Sequence, residues 1–419
     1  MSVPGPVIAC HECDLIQREV PVPPGRVARC CRCGAELYRS AHKSIDHCFA
    51  FTLTAAVLFI VANAYPIVGL DLQGTRNDTT LLGAVQTLWS HKMWSVAALV
   101  FATTFLVPAV ELTVMLHLLL ALKLRQIPTG FAVIMRILQH VKPWGMVEVF
   151  MLGVLVALVK LTHFASVIPG LALWSFGALT LLFAAAASSF DSRDIWDRVS
   201  TRGTCSISGA PETAAARGLF SCHVCGLVSK AARTGGTAHC PRCSALLHYR
   251  KPDSVARAWA LLIAAYIMYV PANLLPIMET GSLFGSQDDT IMSGVIYLWH
   301  SGSWDLALVV FIASIMVPLL KLIALTVLLI SVQRRSVWQP VQRAKLYRIV
   351  EFVGRWSMLD VYVVTILAAL VQIGSLATIK AGPAAVAFGA VVVLTMFAAM
   401  QFDPRLIWDP LQKERPEHE

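Results

Sequence analysis

Residues 49–70 read FAFTLTAAVLFIVANAYPIVGL, a run with no charged side chain. A helix needs about 20 apolar residues to cross the hydrocarbon core of a bilayer. Open strands cannot cross, because lipid offers their backbone groups no partner. The run therefore reads as a spanning helix. It closes on Asn63-Ala64-Tyr65-Pro66-Ile67, and about 210 residues later the chain closes a second run on Asn273-Leu274-Leu275-Pro276-Ile277. Outward from this pair, Leu88-Trp89 is matched by Leu298-Trp299, Trp94 by Trp304 and Pro108 by Pro318. Trp144-Gly145-Met146-Val147-Glu148-Val149 is matched by Trp356-Ser357-Met358-Leu359-Asp360-Val361. Phe190-Asp191 and Trp196-Asp197 answer Phe402-Asp403 and Trp408-Asp409. Uncommon residues that coincide in order over such a distance point to a duplicated unit.

Composition agrees with a membrane protein. The chain is 57% hydrophobic and 14% charged, with mean hydropathy +0.66, whereas soluble domains carry about 25% charged residues. Eight spans are expected, near 49–70, 94–122, 147–168, 171–190, 258–278, 305–330, 357–379 and 383–401. The first residues, MSVPGPVIACHEC, lack the apolar core of a cleavable signal, so the first span is expected to direct insertion. The net charge of +9 sits largely in loops, including Lys123, Arg125, Arg136 and Lys142 in one half and Arg334, Arg335, Arg343, Lys345 and Arg348 in the other. The segment 279–304 has no Lys or Arg. Positive loops stay inside, which places both termini in the cytoplasm. Four spans per unit gives both copies the same orientation, a parallel repeat.

Four CxxC pairs precede the two sets of spans: Cys10/Cys13 with Cys30/Cys33, and Cys222/Cys225 with Cys240/Cys243. Paired CxxC knuckles at this spacing signal zinc held by four thiolates. A closed four-sulfur shell has no open position for catalysis, so each of the two sites is read as structural, supplying folding free energy to a ribbon with a small core. Iron and disulfides are the rival readings; reduced cytoplasmic thiols argue against disulfides. Cys31, Cys48 and Cys205 are surplus, and His11 and His223 are read as bystanders. Ribbons tied to a membrane surface favour protein contact, with no nucleic acid expected.

The fold class is thus an all-α polytopic membrane protein: two tandem parallel repeats of four transmembrane helices, each preceded by a small cytoplasmic zinc ribbon. The expected domains are ribbon 1 at 1–42, bundle 1 at 43–200, a linker at 201–218, ribbon 2 at 219–252, bundle 2 at 253–412 and a tail at 413–419.

Ionisable groups at mid-bilayer cost at least about 2.5 kcal/mol and usually serve function. Glu111 falls in the second span, and Lys160 in the third with His163 one turn on. Lys321 falls in the sixth, at the repeat position of Glu111. Ser314, two turns before Lys321, with Ser357 and Thr395, can line a pocket around the lysine. The alternatives are a structural ion pair, helix-end snorkelling, and polar side chains bonded to their own backbone. Pro66, Pro108, Pro276 and Pro318 can kink their helices and open such a pocket. No GxxxxGK[ST] loop, GxSxG elbow or HExxH helix is present, so the chain is expected not to be an enzyme.

The duplicated CxxC ribbons, the Asn-x-x-Pro-Ile helix ending and the Trp-x-Met-[Val/Leu]-[Glu/Asp]-Val start of the third span resemble the paraquat-inducible protein A family, including its LetA/YebS-type members. The resemblance covers 10–409. It implies an inner-membrane subunit working with a periplasmic MCE-domain protein, a homo-oligomeric tunnel, to move phospholipid between the inner and outer membranes. It also implies a pocket at Ser314, Lys321, Ser357 and Thr395, with Lys160 in the first bundle. Where the family pattern would place an acid one turn after Lys160, this chain has His163. The rival functions are a membrane scaffold for a periplasmic partner and a redox- or metal-responsive sensor.

Overall fold

The computed structural model describes residues 7–413, apart from 24, 40–44, 73–74, 129, 162–165, 200–211, 231, 235–236, 283–284, 303, 371 and 374–376. The chain opens with two hairpins, β1 (Val7–Ala9) with β2 (Ile16–Arg18) and β3 (Val27–Arg29) with β4 (Glu36–Arg39). Helix α1 (Ile45–Ala64) follows, then hairpin β5 (Val68–Leu72) and β6 (Thr75–Thr79), and α2 (Leu81–Ser90). Next, α3 (Trp94–Phe101) and α4 (Val107–Lys123) are joined by a π-helical turn, Ala102–Leu106. Then come α5 (Phe131–Val141), α6 (Val147–Leu161), β7 (Ser166–Pro169), α7 (Leu171–Ser189) and α8 (Ser192–Val199).

Short strands follow: β8 (Phe220–Ser221), β9 (Val228–Ser229), β10 (Ala232–Thr234), β11 (Thr237–His239) and β12 (Leu246–Leu247). After them stand α9 (Ser254–Leu274), hairpin β13 (Met278–Ser282) and β14 (Gly285–Asp289), and α10 (Ile291–His300). Helices α11 (Trp304–Phe311) and α12 (Val317–Gln333) again flank a π turn, Ile312–Met316. The chain continues through α13 (Pro340–Trp356), α14 (Leu359–Leu370), β15 (Gln372–Ile373), β16 (Ala377–Ala381) and α15 (Pro383–Gln401).

Two expectations are corrected. Seven helices, not eight, are long and apolar enough to span a membrane among the described residues. The expected span at 357–379 is instead α14, 12 residues long and about 18 Å at 1.5 Å per residue; strands β15 and β16 follow it. The fold is also not all-α. Strand β16 pairs with β13, with Thr280 opposite Ile379, and β7 pairs with β5, with Leu70 opposite Val167. Apolar, β-branched stretches such as Ser166-Val167-Ile168 suit either structure, and the adjacent hairpins supply the edge that draws them into a sheet.

Helices α1 and α9 end for a reason visible in sequence. The residue before a proline is pushed out of the helical region, and both helices stop two residues before Pro66 and Pro276. Asn63 Nδ2 donates to the Phe59 carbonyl at 2.7 Å, and Asn273 Nδ2 to that of Tyr269 at 2.9 Å. Past the proline the chain is stitched to the start of the fourth helix of its half. Gly170 N–H donates to the Ile67 carbonyl at 2.9 Å, and Gly382 N–H to that of Ile277 at 2.8 Å.

One apolar core runs through both halves. Its centre is the crossing of α6 and α14, where Phe150 meets Phe176 at 5.4 Å and Tyr362 edge-on at 5.5 Å. Gly153 lets the helices touch: a Cβ there would lie 2.9 Å from that of Tyr362. The buried Tyr362 hydroxyl donates to Thr103 Oγ1, in the π turn of the other half, at 2.9 Å.

Candidate functional site

Each CxxC knuckle is shaped by the same backbone device. The residue after the second cysteine takes a left-handed conformation: Asp14, Gly34, Gly226 and Ser244 have φ of 61°, 73°, 69° and 55°. Glycine takes it freely, and Asp is among the less penalised alternatives. This turns each N–H back onto the carbonyl of the first cysteine, at 2.9 Å in all four knuckles. Two knuckles face each other in each ribbon, so that four buried Sγ atoms lie within 4.8 Å of one another. Across the groups, Cys10–Cys33 and Cys13–Cys30 are both at 3.5 Å, Cys222–Cys243 at 3.4 Å and Cys225–Cys240 at 3.5 Å.

These residues can hold a metal ion. Four thiolates at 2.3 Å from a tetrahedral zinc would sit about 3.8 Å apart, close to the spacing present. Four thiolates packed this closely repel one another, so a bound cation is what lets all four carry charge together. Gln17, which sequence reading passed over, braces the first site. Its Nε2 donates to Cys30 Sγ at 3.1 Å, and its Oε1 accepts from the Cys31 N–H at 3.2 Å. His11 and His223 are exposed and belong to neither group. Cys31 is exposed, Cys48 is buried, and Cys205 lies outside the described residues.

The ribbons rest on the halves they do not precede. Cys13, Leu15, Cys33 and Ala35 share a core with Tyr347, Phe402, Ile407 and Trp408. Val224, Cys225, Ala245 and Leu247 share one with Phe131, Met135, Ile195 and Trp196. The ribbons also join each other through residues expected to be linker: Thr213 bridges to Leu15, and the Ala214 N–H donates to the Asp14 carbonyl at 2.9 Å.

Among the pocket candidates, Lys321 is 3% exposed in α12, and its Nζ has no hydrogen-bond partner among the described residues. The ammonium lies against Gly354 of α13: a Cβ there would be 3.1 Å from Nζ and 3.9 Å from Met396 Cγ of α15. Ser357, three residues beyond Gly354, is buried and its hydroxyl is also without a partner. Thr395, next to Met396, is buried and donates to its own helix at Val392, 3.0 Å away. Ser314 is buried in the π turn four residues before Pro318. The missing proline N–H leaves that turn without an ordinary donor, a known cause of π bulges and kinks.

Glu111 is not brought to Lys321. It is half-buried in α4, and its Oε2 would lie 3.0 Å from a Cβ on Gly145. No ion pair joins the two among the described residues. Lys160 stands near the C-terminus of α6, and His163 lies outside the described residues.

Seven spanning-length helices, with two four-cysteine groups that can hold metal, define a multi-pass membrane protein. The chain belongs to the paraquat-inducible protein A family, whose sequence profile matches residues 45–200 and again 255–412. It is 35% identical to the intermembrane transport protein PqiA of Escherichia coli K12, across 98% of this chain and 97% of that protein. It is 30% identical to the lipophilic envelope-spanning tunnel protein A of the same organism, across 96% and 90%. A probable intermembrane transport protein of Haemophilus influenzae is 30% identical, across 99% and 98%. No solved structure matches the chain.

Proposed function

We propose that the chain is a non-enzymatic inner-membrane subunit that passes phospholipid to or from a periplasmic tunnel of MCE-domain protein. The observation that carries the reading is Lys321, whose Nζ is buried against Gly354 of α13 near Met396 of α15 and has no partner among the described residues; Ser357, three residues beyond Gly354, has an equally unpartnered hydroxyl. Such a charge is costly, and a lipid phosphate would satisfy it. Ser314 and Thr395 would line the same site, and Lys160, His163 and Glu111 would serve the first half. The names of the relatives point the same way.

In this reading the chain is two tandem units of four spans, with α14 as the short second-to-last crossing, and the two matches of the family profile support it. Both ribbons and both termini face the cytoplasm, each ribbon holding zinc. Since Nζ is covered, lipid entry needs the α12–α13–α15 packing to open. The test is capture of the tagged chain from native membranes in mild detergent, followed by mass spectrometry. The expected result is an MCE-type protein with phospholipid. A partner without lipid would replace the reading with a scaffold.

A further inference from the structure

Arg348 on α13 donates Nη2 to the carbonyl of Cys33 at 2.7 Å and Nη1 to that of Gly34 at 3.2 Å. Arg136 on α5 stands at the same position of the other half, and its Nη2 donates to the carbonyl of Cys243 at 3.0 Å. Each arginine thus reads the last cysteine of the ribbon that belongs to the opposite half. A second pair repeats the pattern. Arg242 of ribbon 2 lies 5.5 Å from the ring of Trp196 and bonds Asp197 at 3.0 Å. Arg32 of ribbon 1 lies 4.5 Å from the ring of Trp408. The same contacts made twice, by matched residues, are not an accident of one surface.

Connectivity gives the pattern its consequence. Ribbon 1 leads along the chain into α1, and ribbon 2 into α9, so each ribbon is covalently joined to one half and hydrogen-bonded to the other. The acceptor carbonyls are those of the last cysteine in each four-sulfur group, and they keep their places only while the knuckle is closed. Four thiolates held on one metal ion would keep it closed.

We propose that Arg348 and Arg136 are positioning residues that tie each metal centre to the opposite half, making the two ribbons a crossed clamp between the bundles. This does not depend on the lipid reading. The test is amide hydrogen exchange on the Zn2+-loaded full chain in nanodiscs, with release of Zn2+ to a chromophoric chelator measured alongside. Arg348→Ala should raise exchange about tenfold at 340–351 and 403–409 and speed one phase of Zn2+ release, leaving 131–141 unchanged. Arg136→Ala should do the reverse, raising exchange at 131–141 alone. Arg348→Lys, which lacks the fork to reach both carbonyls, should fall between wild type and Arg348→Ala. Cys30→Ser/Cys33→Ser should reproduce the Arg348→Ala pattern, and if that variant loosens throughout, the arginine pair decides. The clamp is overturned if either arginine variant loosens both halves equally or changes neither exchange nor Zn2+ release. It is also overturned if the effect falls on the half that carries the affected ribbon.

Discussion

Gly170 and Gly382 occupy matched points where the chain crosses the end of the first helix of each half. A Cβ at either would run into the carbonyl oxygen of Pro66 or Pro276. Backbone cannot retreat as a flexible side chain can, so Gly170→Ala and Gly382→Ala should each cost about 1–3 kcal/mol, read as a lower Tm in detergent. Gly294, inside α10, meets nothing within 4 Å of an added Cβ, so Gly294→Ala should be neutral or stabilise by up to about 1 kcal/mol. Asp403 gives a pH-dependent prediction. Burial disfavours its charge, but bonds from Arg405 at 2.9 and 2.8 Å and from the Lys251 N–H at 3.0 Å more than offset this. Its carboxyl therefore sits below the ordinary carboxylate value. A depressed acid contributes stability that is complete above its unfolded value of about 4 and is lost as pH falls through the folded one. Stability profiles of wild type and Asp403→Asn should therefore be separated at neutral pH and converge in acid. Asp191, its counterpart, has its carboxyl raised, chiefly by burial, so Asp191→Asn should cost less at neutral pH.

At the scale of elements, the knuckles were legible because CxxC spacing dictates a local turn, whereas the spans read to 70 and 278 stop instead at Ala64 and Leu274, two residues before Pro66 and Pro276, and strands β5 and β13 take up the chain beyond. The strands were not legible. A run such as 357–379 carries enough apolar residues for a span, and only pairing with a distant hairpin divides it into α14 and β16. The π turns leave a trace only in Pro108 and Pro318, since widening depends on what the ring meets in the helix. Gln17 was missed because a single polar residue on a strand has no pattern, although its contact with Cys30 is specific to the fold. The ribbons make their own prediction. Arg18 and Arg29 are exposed but held in β2 and β3, so stripping metal with a chelator should free their backbone for cleavage by trypsin, while the spanning helices keep their far-ultraviolet circular dichroism. Tryptic resistance in the metal-free protein would show that the ribbon cores stand without an ion.

Across the whole molecule, duplication was readable, but how the copies meet was not. Sequence matching pairs α6 with α14 yet cannot say that they pack on each other, or that a tyrosine of one half bonds a threonine of the other. The crossing rests on Gly153, so Gly153→Val should push α6 from α14 and lower Tm sharply, by more than Tyr362→Phe, which removes one hydrogen bond worth about 1 kcal/mol. On the proposed function, Lys321 is kept for lipid handling at a cost to the fold. Lys321→Met tests it by separating the two effects, with thermal stability and phospholipid transfer to the periplasmic partner measured on one preparation in proteoliposomes. Removing an unpartnered buried charge should leave Tm unchanged or higher while transfer falls at least about tenfold, the loss expected when about 1.4 kcal/mol of binding is removed. Undiminished transfer by Lys321→Met, in a stable protein, would show that Lys321 takes no part in lipid handling.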